Sequence, residues 1–198
     1  MISRRALLFA PLAFISKGSS VHAEEPFYIS PNDVSRVAYK FRRREMDYKT
    51  SEPPGTIVVE PSKRFLYFVL PEGRAIRYGI GVGSSFKKWS GTATIVRMAK
   101  WPKWTPTKEM LARHKPYEKY KDGMPGGSDN PLGARAMYLV DENGVDHQYR
   151  IHGTPAAFTI GQATTSGCFR MLNADVIELY GLVKIGTRVV VKPGPIGF

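Results

Sequence analysis

The chain has 198 residues, 42% hydrophobic and 12% aromatic, with 29 Lys+Arg against 17 Asp+Glu for a formal net charge of +12. That composition excludes a disordered or fibrous chain, and the length suits one well-buried domain rather than two ordinary ones. So positive a field favours acidic partners in general.

In chain order, Arg4 and Arg5 precede an apolar run from Ala6 to Ile15, and Val21-His22-Ala23 offers small residues for a signal peptidase. Residues 1–23 therefore read as a secretory signal cut after Ala23. The ten-residue run falls short of the roughly 20 residues that a membrane span needs. "SRRALLF" also bears a faint likeness to a twin-arginine signal. The expected compartment is outside the cytoplasm, in a bacterium the periplasm. Cleavage removes Arg4, Arg5 and Lys17 and no acid, taking +12 down by three to +9. Export argues against nucleic acid as the partner and points to anionic cell-envelope material, with a plain solvated surface as the alternative reading.

Residues 24–54 include "VSRVAYKFRRREMDYK" and end at Pro53-Pro54. They read as an N-terminal extension or linker, with "FRRRE" either solvated or touching an anionic surface. From Thr56, "TIVVE", "RFLYFVL" and "RAIRYGIGVG" are runs of branched and aromatic residues, and Pro71-Glu72-Gly73 is a hairpin turn. "SGTATIVRM" (90–98) predicts a further strand, and Thr105-Pro106 is expected to cap a short helix running to about Arg113. Residues 114–133 lack periodicity and are rich in Gly and Pro, as a lid or a surface excursion would be. "RAMYLV" and "HQYRI" flank Asn143-Gly144, a two-residue hairpin signal. Asn173 is expected to cap the helix "ADVIELYGLV", "RVVVK" supplies a last strand, and residues 193–198 form a tail. The sum predicts a mostly β fold with short helices, a β-sandwich or partly closed barrel.

Cys168 is the only cysteine. An oxidising compartment favours paired cysteines, so Cys168 is no internal staple. It is a reactive thiol, a partner in an intermolecular bridge, or a buried, inert small residue. Of the histidines, His22 belongs to the signal, and His114, His147 and His152 remain. His147 and His152, five apart on one predicted strand, project from opposite faces, so no metal site is expected. His152 and Cys168 make the better pair. A strand ending in His152-Gly153, a connection of about a dozen residues and the turn Ser166-Gly167-Cys168 could bring imidazole to thiol at one end of the sheet. Histidine would then take the thiol proton, the thiolate attack, and the imidazolium return the proton to the leaving group. Small residues before Cys168 expose backbone N–H groups, and the helix near Asn173 adds its dipole, the ingredients of a lowered thiol pKa and an oxyanion hole.

"RIHGT" (150–154), "IGQATTSGCFRM" (160–171) and "NADVIELYGLVKIGTRVVV" (173–191) resemble the L,D-transpeptidase catalytic domain of the YkuD type. The family pattern is His-Gly, then some sixteen residues on a small or polar residue, Gly-Cys, an apolar residue and Arg or Asn. His152, Gly153, Ser166, Gly167, Cys168, Phe169 and Arg170 fill it in order. The resemblance covers about residues 55–192, with "GTIVVEPSKRFLYFVL", "GVGSSFKKWSG" and "NPLGARAMYLV" also matching. Many members carry histidine where this chain has Ser166, and an aliphatic residue where it has Phe169.

The resemblance implies that Cys168 attacks the third residue of a peptidoglycan stem tetrapeptide and expels the terminal D-alanine. An amine then resolves the thioester, giving a 3→3 cross-link or attaching an outer-membrane protein or lipoprotein. Water as the acceptor would make the same fold an L,D-carboxypeptidase or endopeptidase. No metal or organic cofactor is implied, carbapenems should acylate the thiol, and the enzyme would be peripheral to the envelope. Within this scheme His152 is base and then acid, and the Gly153 carbonyl accepts the imidazole N–H in place of a triad carboxylate. The N–H groups of Gly167 and Cys168 are the oxyanion donors. Ser166 positions imidazole or substrate, or is a turn serine. Arg170 binds a carboxylate or braces its own segment. Trp101 and Trp104 line the groove, or anchor core and lid. Two readings from outside this chemistry are a catalytically silent wall-binding module, against which the intact His152 and Cys168 argue, and a sortase-like acyltransferase, whose arginine lies farther from its cysteine than Arg170 does.

Overall fold

The computed structural model describes residues 25–83, 89–165 and 167–193. The expected signal (1–23), Ser166 and all but the first residue of the tail lie outside the described residues.

Among the described residues there are eleven strands: β1 (Arg44–Asp47), β2 (Ile57–Glu60), β3 (Phe65–Val69), β4 (Arg74–Gly79), β5 (Val82–Gly83), β6 (Gly91–Lys100), β7 (Arg135–Asp141), β8 (Arg150–His152), β9 (Ala163–Thr165), β10 (Phe169–Arg170) and β11 (Arg188–Val191). Two α-helices, α1 (Lys108–Arg113) and α2 (Asn173–Leu182), accompany them. Nine strands form one sheet in the order β1-β4-β3-β2-β11-β6-β7-β8-β10, and β5 pairs with β9 apart from it. The mostly β expectation holds. Against the expected β-sandwich or partly closed barrel, the sheet is single and not closed, curled so that Gly81, just past β4, bridges to Arg170 at the far end.

The branched residues explain the centre of the sheet. Ile57, Val58 and Val59 of β2 are all fully buried, as in strands covered on both faces. Ile57 and Val59 join Leu66, Tyr78, Ile95, Met137 and Val189 in the main core, onto which α2 packs Val176 and Leu179. Val58 turns to the other face, with Tyr67, Val69 and Ala75. A register shift between Ile95 and Arg97 bends β6 where it runs along β7.

Several local expectations are corrected. Thr107, not Thr105, caps α1, its hydroxyl accepting from the Met110 N–H at 3.3 Å. The turn at Asn143-Gly144 forms, with the Asp141 carboxylate accepting from the N–H groups of Asn143 and Val145 at 2.9 and 2.8 Å. The strand after it starts only at Arg150, because Gln148 has φ +62° and cannot continue an extended ladder. His147 thus lies outside any strand, its Nε2 2.9 Å from Asp141 Oδ2.

The extension, read as a linker, is part of the fold. Its β1 is an edge strand antiparallel to β4, and Phe41 packs with Val37, Ala157, Ile160 and Leu172 in a second small core. Arg43 holds Glu178 of α2 through two hydrogen bonds of 2.8 and 3.2 Å. Glu25 forms a partly buried ion pair with Arg135 at the start of β7 and accepts from Trp101 Nε1 at 2.8 Å.

Residues 114–133 are likewise ordered around polar contacts. A 3-10 turn covers Lys115–Tyr120, and Trp104 and Met124 exchange backbone hydrogen bonds of 2.9 and 2.7 Å. Asn130, fully buried, donates to the carbonyls of Pro102, Pro125 and Met124. A loop crossing a compact surface needs such internal partners for its backbone.

Candidate active site

The parallel pairing of β8 with β10 sets Phe169 opposite Ile151 and Arg170 opposite His152. Ile151 and Phe169 point into the main core. Side chains alternate along a strand, so Arg150, His152 and Arg170 lie on the other face, with Cys168 leading into β10 beside Arg150. Carrying the β8–β10 register back by one residue sets Cys168 level with Arg150, two residues before His152. Two further contacts fix the position: His152 stands opposite Ala136 of β7, and Arg170 exchanges two 2.8 Å backbone hydrogen bonds with Gly81, between β4 and β5.

His152 is buried, and its Nδ1 lies 2.6 Å from the Gly153 carbonyl oxygen. A carbonyl only accepts, so Nδ1 carries the proton and Nε2 keeps its lone pair. Burial pushes the imidazole down to about 4; the Gly153 bond opposes this, while the charges of Arg170 and Arg150 add to it. Cys168, half-buried, has its thiol pushed up by burial. A backbone hydrogen bond from Arg150 and the guanidiniums of Arg150 and Arg170 pull the other way, and Asp146 adds to the rise. The sulfur also lies 3.5 Å from the Gln148 carbonyl oxygen. At neutral pH the two groups are therefore a neutral imidazole and a neutral thiol, with two cations in range to receive a developing thiolate.

Gly167 has φ +150°, a conformation that side chains rarely adopt, and stands against the Tyr149 ring. Gly153 is needed for a different reason. A Cβ there would fall within 3.0 Å of Asn173 Oδ1 and 3.1 Å from Ala134 N. Asn173 was expected as a cap, but it is the first residue of α2, behind Leu172 as cap. Its buried side chain instead accepts the Ala134 N–H at 3.0 Å. Asn173 thus ties α2 to the start of β7 and to the turn that carries the His152 acceptor. Sequence reasoning missed this role because an Asn before a helix is usually explained by capping.

Arg170 Nη1 donates to Thr159 Oγ1 at 3.2 Å, and its buried Nε has no hydrogen-bond partner among the described residues. Burial lowers its pKa, with Cys168 and Tyr117 acting in the opposite sense. Tyr117 thereby places the 115–120 turn within electrostatic reach of the site. Trp104, buried, packs edge-on to Tyr117 at 5.2 Å, an anchoring use. Trp101 turns away to Glu25 and Phe27.

Other neighbours were not singled out from the sequence. Arg150 is held by Asp146 through bonds of 2.6 and 2.7 Å. Tyr149 stacks on Phe169 at 5.8 Å and leans on Trp89 at 5.3 Å; burial and the nearby Cys168 raise its hydroxyl pKa. The chain positions of Tyr149 and Arg150, just before His152, were the one available signal. Among the described residues, no group of three or more His, Cys, Asp or Glu is placed to hold a metal ion.

A family model of the L,D-transpeptidase catalytic domain matches residues 54–191. "Probable L,D-transpeptidase ErfK/SrfK" of Escherichia coli (strain K12) is 32% identical over 146 residues, covering 72% of this chain and 45% of that protein. "Probable L,D-transpeptidase YbiS" of the same organism is 34% identical over 140 residues, 68% of this chain and 43% of that protein. The chain therefore spans less than half the length of these two relatives. A crystal structure from Brucella melitensis, described as a probable carnitine operon oxidoreductase, is 48% identical with a TM-score of 0.54, over 81% of this chain and 99% of that one.

Proposed function

This chain belongs to the L,D-transpeptidase catalytic-domain family, and on that premise we propose that it is an exported cysteine acyltransferase acting on peptidoglycan stem tetrapeptides. What supports the reading is a neutral, Nδ1-protonated His152 at the end of β8, with Cys168 immediately before the neighbouring parallel strand β10.

In this mechanism His152 Nε2 takes the Cys168 proton as the sulfur attacks the carbonyl of the third stem residue. The weak basicity of the buried imidazole means that proton transfer accompanies attack instead of preceding it, and Arg150 and Arg170 stabilise the charge on sulfur as it moves. The N–H groups of Gly167 and Cys168 receive the oxyanion. Collapse breaks the amide to the terminal D-alanine, whose nitrogen takes the proton from the imidazolium, leaving a thioester. An amine then attacks the thioester, giving its proton to His152, and the thiol is regenerated. The Gly153 carbonyl holds the ring throughout. This chemistry uses neither a metal nor an organic cofactor.

The acceptor is a neighbouring stem's amine, giving a 3→3 cross-link, or an envelope protein's lysine; water in its place gives hydrolysis. Export to the periplasm is supported by Arg4, Arg5 and the apolar run after them. Ser166, next to the Gly167-Cys168 pair in sequence, is assigned a positioning role, and Arg170 the bracing of this segment through Thr159. The test is intact mass after incubation with a carbapenem. A single adduct on the wild type and none on Cys168→Ala is expected; a wild type that stays unmodified, leaving a silent binding module, overturns the reading.

A further inference from the structure

The extension carries a second charged feature that the proposed chemistry does not use. Its first strand places Arg44 directly opposite Arg77 of β4. Like charges facing each other across an antiparallel pair destabilise the sheet, and burial together with Arg44 lowers the Arg77 pKa. Arg77 donates to the Lys40 carbonyl at 2.9 Å, lies over the Phe65 ring at 4.2 Å, and has a buried Nε with no hydrogen-bond partner among the described residues. Arg42 and Arg44 both sit 5.8 Å from the ring of Tyr39, which is 72% exposed.

The neighbouring cations are compensated: Arg36 by Asp33, Arg43 by Glu178 and Arg74 by Glu45. Among the described residues no carboxylate forms an ion pair with Lys40, Arg42, Arg44 or Arg77. Arg42 and Arg44 thus flank one exposed aromatic ring, with Lys40 over Phe41 and Arg77 over Phe65 beside them, along and next to a strand added to the edge of the sheet.

We propose that Lys40, Arg42, Arg44 and Arg77, with Tyr39, form a docking face for a carboxylate-bearing polymer, gripped by the adjacent guanidiniums of Arg44 and Arg77. Guanidiniums match carboxylates in a planar, two-bonded geometry, and an exposed tyrosine ring gives the polymer's apolar parts a surface to lie on. The inference rests on the proposed function only for the polymer's identity, the carboxylate-rich peptidoglycan that the thiol would act on. The face would hold one part of that polymer while another enters the site.

The test is co-sedimentation of the full chain carrying Cys168→Ala with insoluble peptidoglycan, and titration with poly-L-glutamate, each at low and moderate salt. Binding is expected without the thiol. Arg44→Gln with Arg77→Gln should weaken it about tenfold and reduce the salt slope by about two, one for each cation lost. Arg44→Gln alone, a change at an exposed side chain, should give a smaller loss of the same kind should the double variant fold poorly. Lys184→Gln with Lys108→Gln, an equal charge loss elsewhere, should change little. The proposal is overturned by a control that weakens binding as much as the Arg44 and Arg77 variants do, by Arg44→Gln binding like its parent, or by polyphosphate outcompeting poly-L-glutamate. Failure of carbapenem acylation with binding intact would sink the enzyme reading and leave this face standing.

Discussion

Replacing Gly153 with alanine should damage the fold through one identifiable contact. The added Cβ would lie within 3.0 Å of Asn173 Oδ1, and 3.1 Å from both Ala134 N and Val176 Cγ1. The Asn173 amide has to move, and its 3.0 Å hydrogen bond from the buried Ala134 N–H is lost or stretched. A buried donor left unsatisfied costs about 1–3 kcal/mol, and crowding in a packed interior costs about 1–3 kcal/mol more, so Gly153→Ala should destabilise by roughly 2–6 kcal/mol. For a domain of this size that lowers Tm by roughly 5–20 °C, measurable by thermal unfolding followed by circular dichroism. Asn173→Ala alone removes the acceptor and should cost about 1–3 kcal/mol. In the double variant the clashing amide is gone, so its cost should fall short of the two single costs combined by at least about 1 kcal/mol. Additivity within about 0.5 kcal/mol would refute the reasoning, since contacts that do not share a partner add independently.

Three further outcomes follow from the charges around the site and under α2. The Cys168 thiol is pushed up and the His152 imidazole down to about 4. Alkylation of the resting enzyme by iodoacetamide should therefore keep rising above the ordinary thiol range, and a rate plateau between about pH 5 and 7, the mark of a preformed thiolate–imidazolium pair, would contradict this. Asp146 raises the thiol and is bonded to Arg150, so Asp146→Asn should move the alkylation profile to lower pH; an unmoved or upward profile would count against the role given to Arg150. Burial of Asp175, with Glu178 nearby, raises its carboxyl from 3.8 to about 7. Because the folded state holds this proton more tightly, stability is lost as pH rises from about 4 to 7 and stays lost above. The penalty is at most roughly 4 kcal/mol. Asp175→Asn should thus raise Tm at pH 8 and lose its advantage near pH 4, and a constant gain at both pH values would sink the argument.

What the sequence disclosed depended on how local the cause was. The branched runs of β2, β3 and β11 and the Asn143-Gly144 turn are readable because burial and turn chemistry act within a few residues. That His152 ends a strand and that Cys168 follows a glycine in an unusual conformation were both readable from local sequence. β1 was not legible: "REMD" has one half-buried residue among four, and only its pairing with β4 makes it a strand. The shortening of β8 depends on the positive φ of Gln148, which nothing in its side chain announces. Asn173 was noticed for the wrong reason, since its partner is 39 residues away and Gly153 and Gly133 leave the space it fills.

The central claim is that Cys168, served by His152, carries an acyl group from a stem peptide to an acceptor. The most direct measurement is product analysis after incubating the purified chain with isolated tetrapeptide muropeptides. Released D-alanine, together with a product joined or cleaved at the third residue, is expected from the wild type, absent from Cys168→Ala and strongly slowed in His152→Ala. Unchanged muropeptides with the wild type, or the same products from Cys168→Ala, would contradict it.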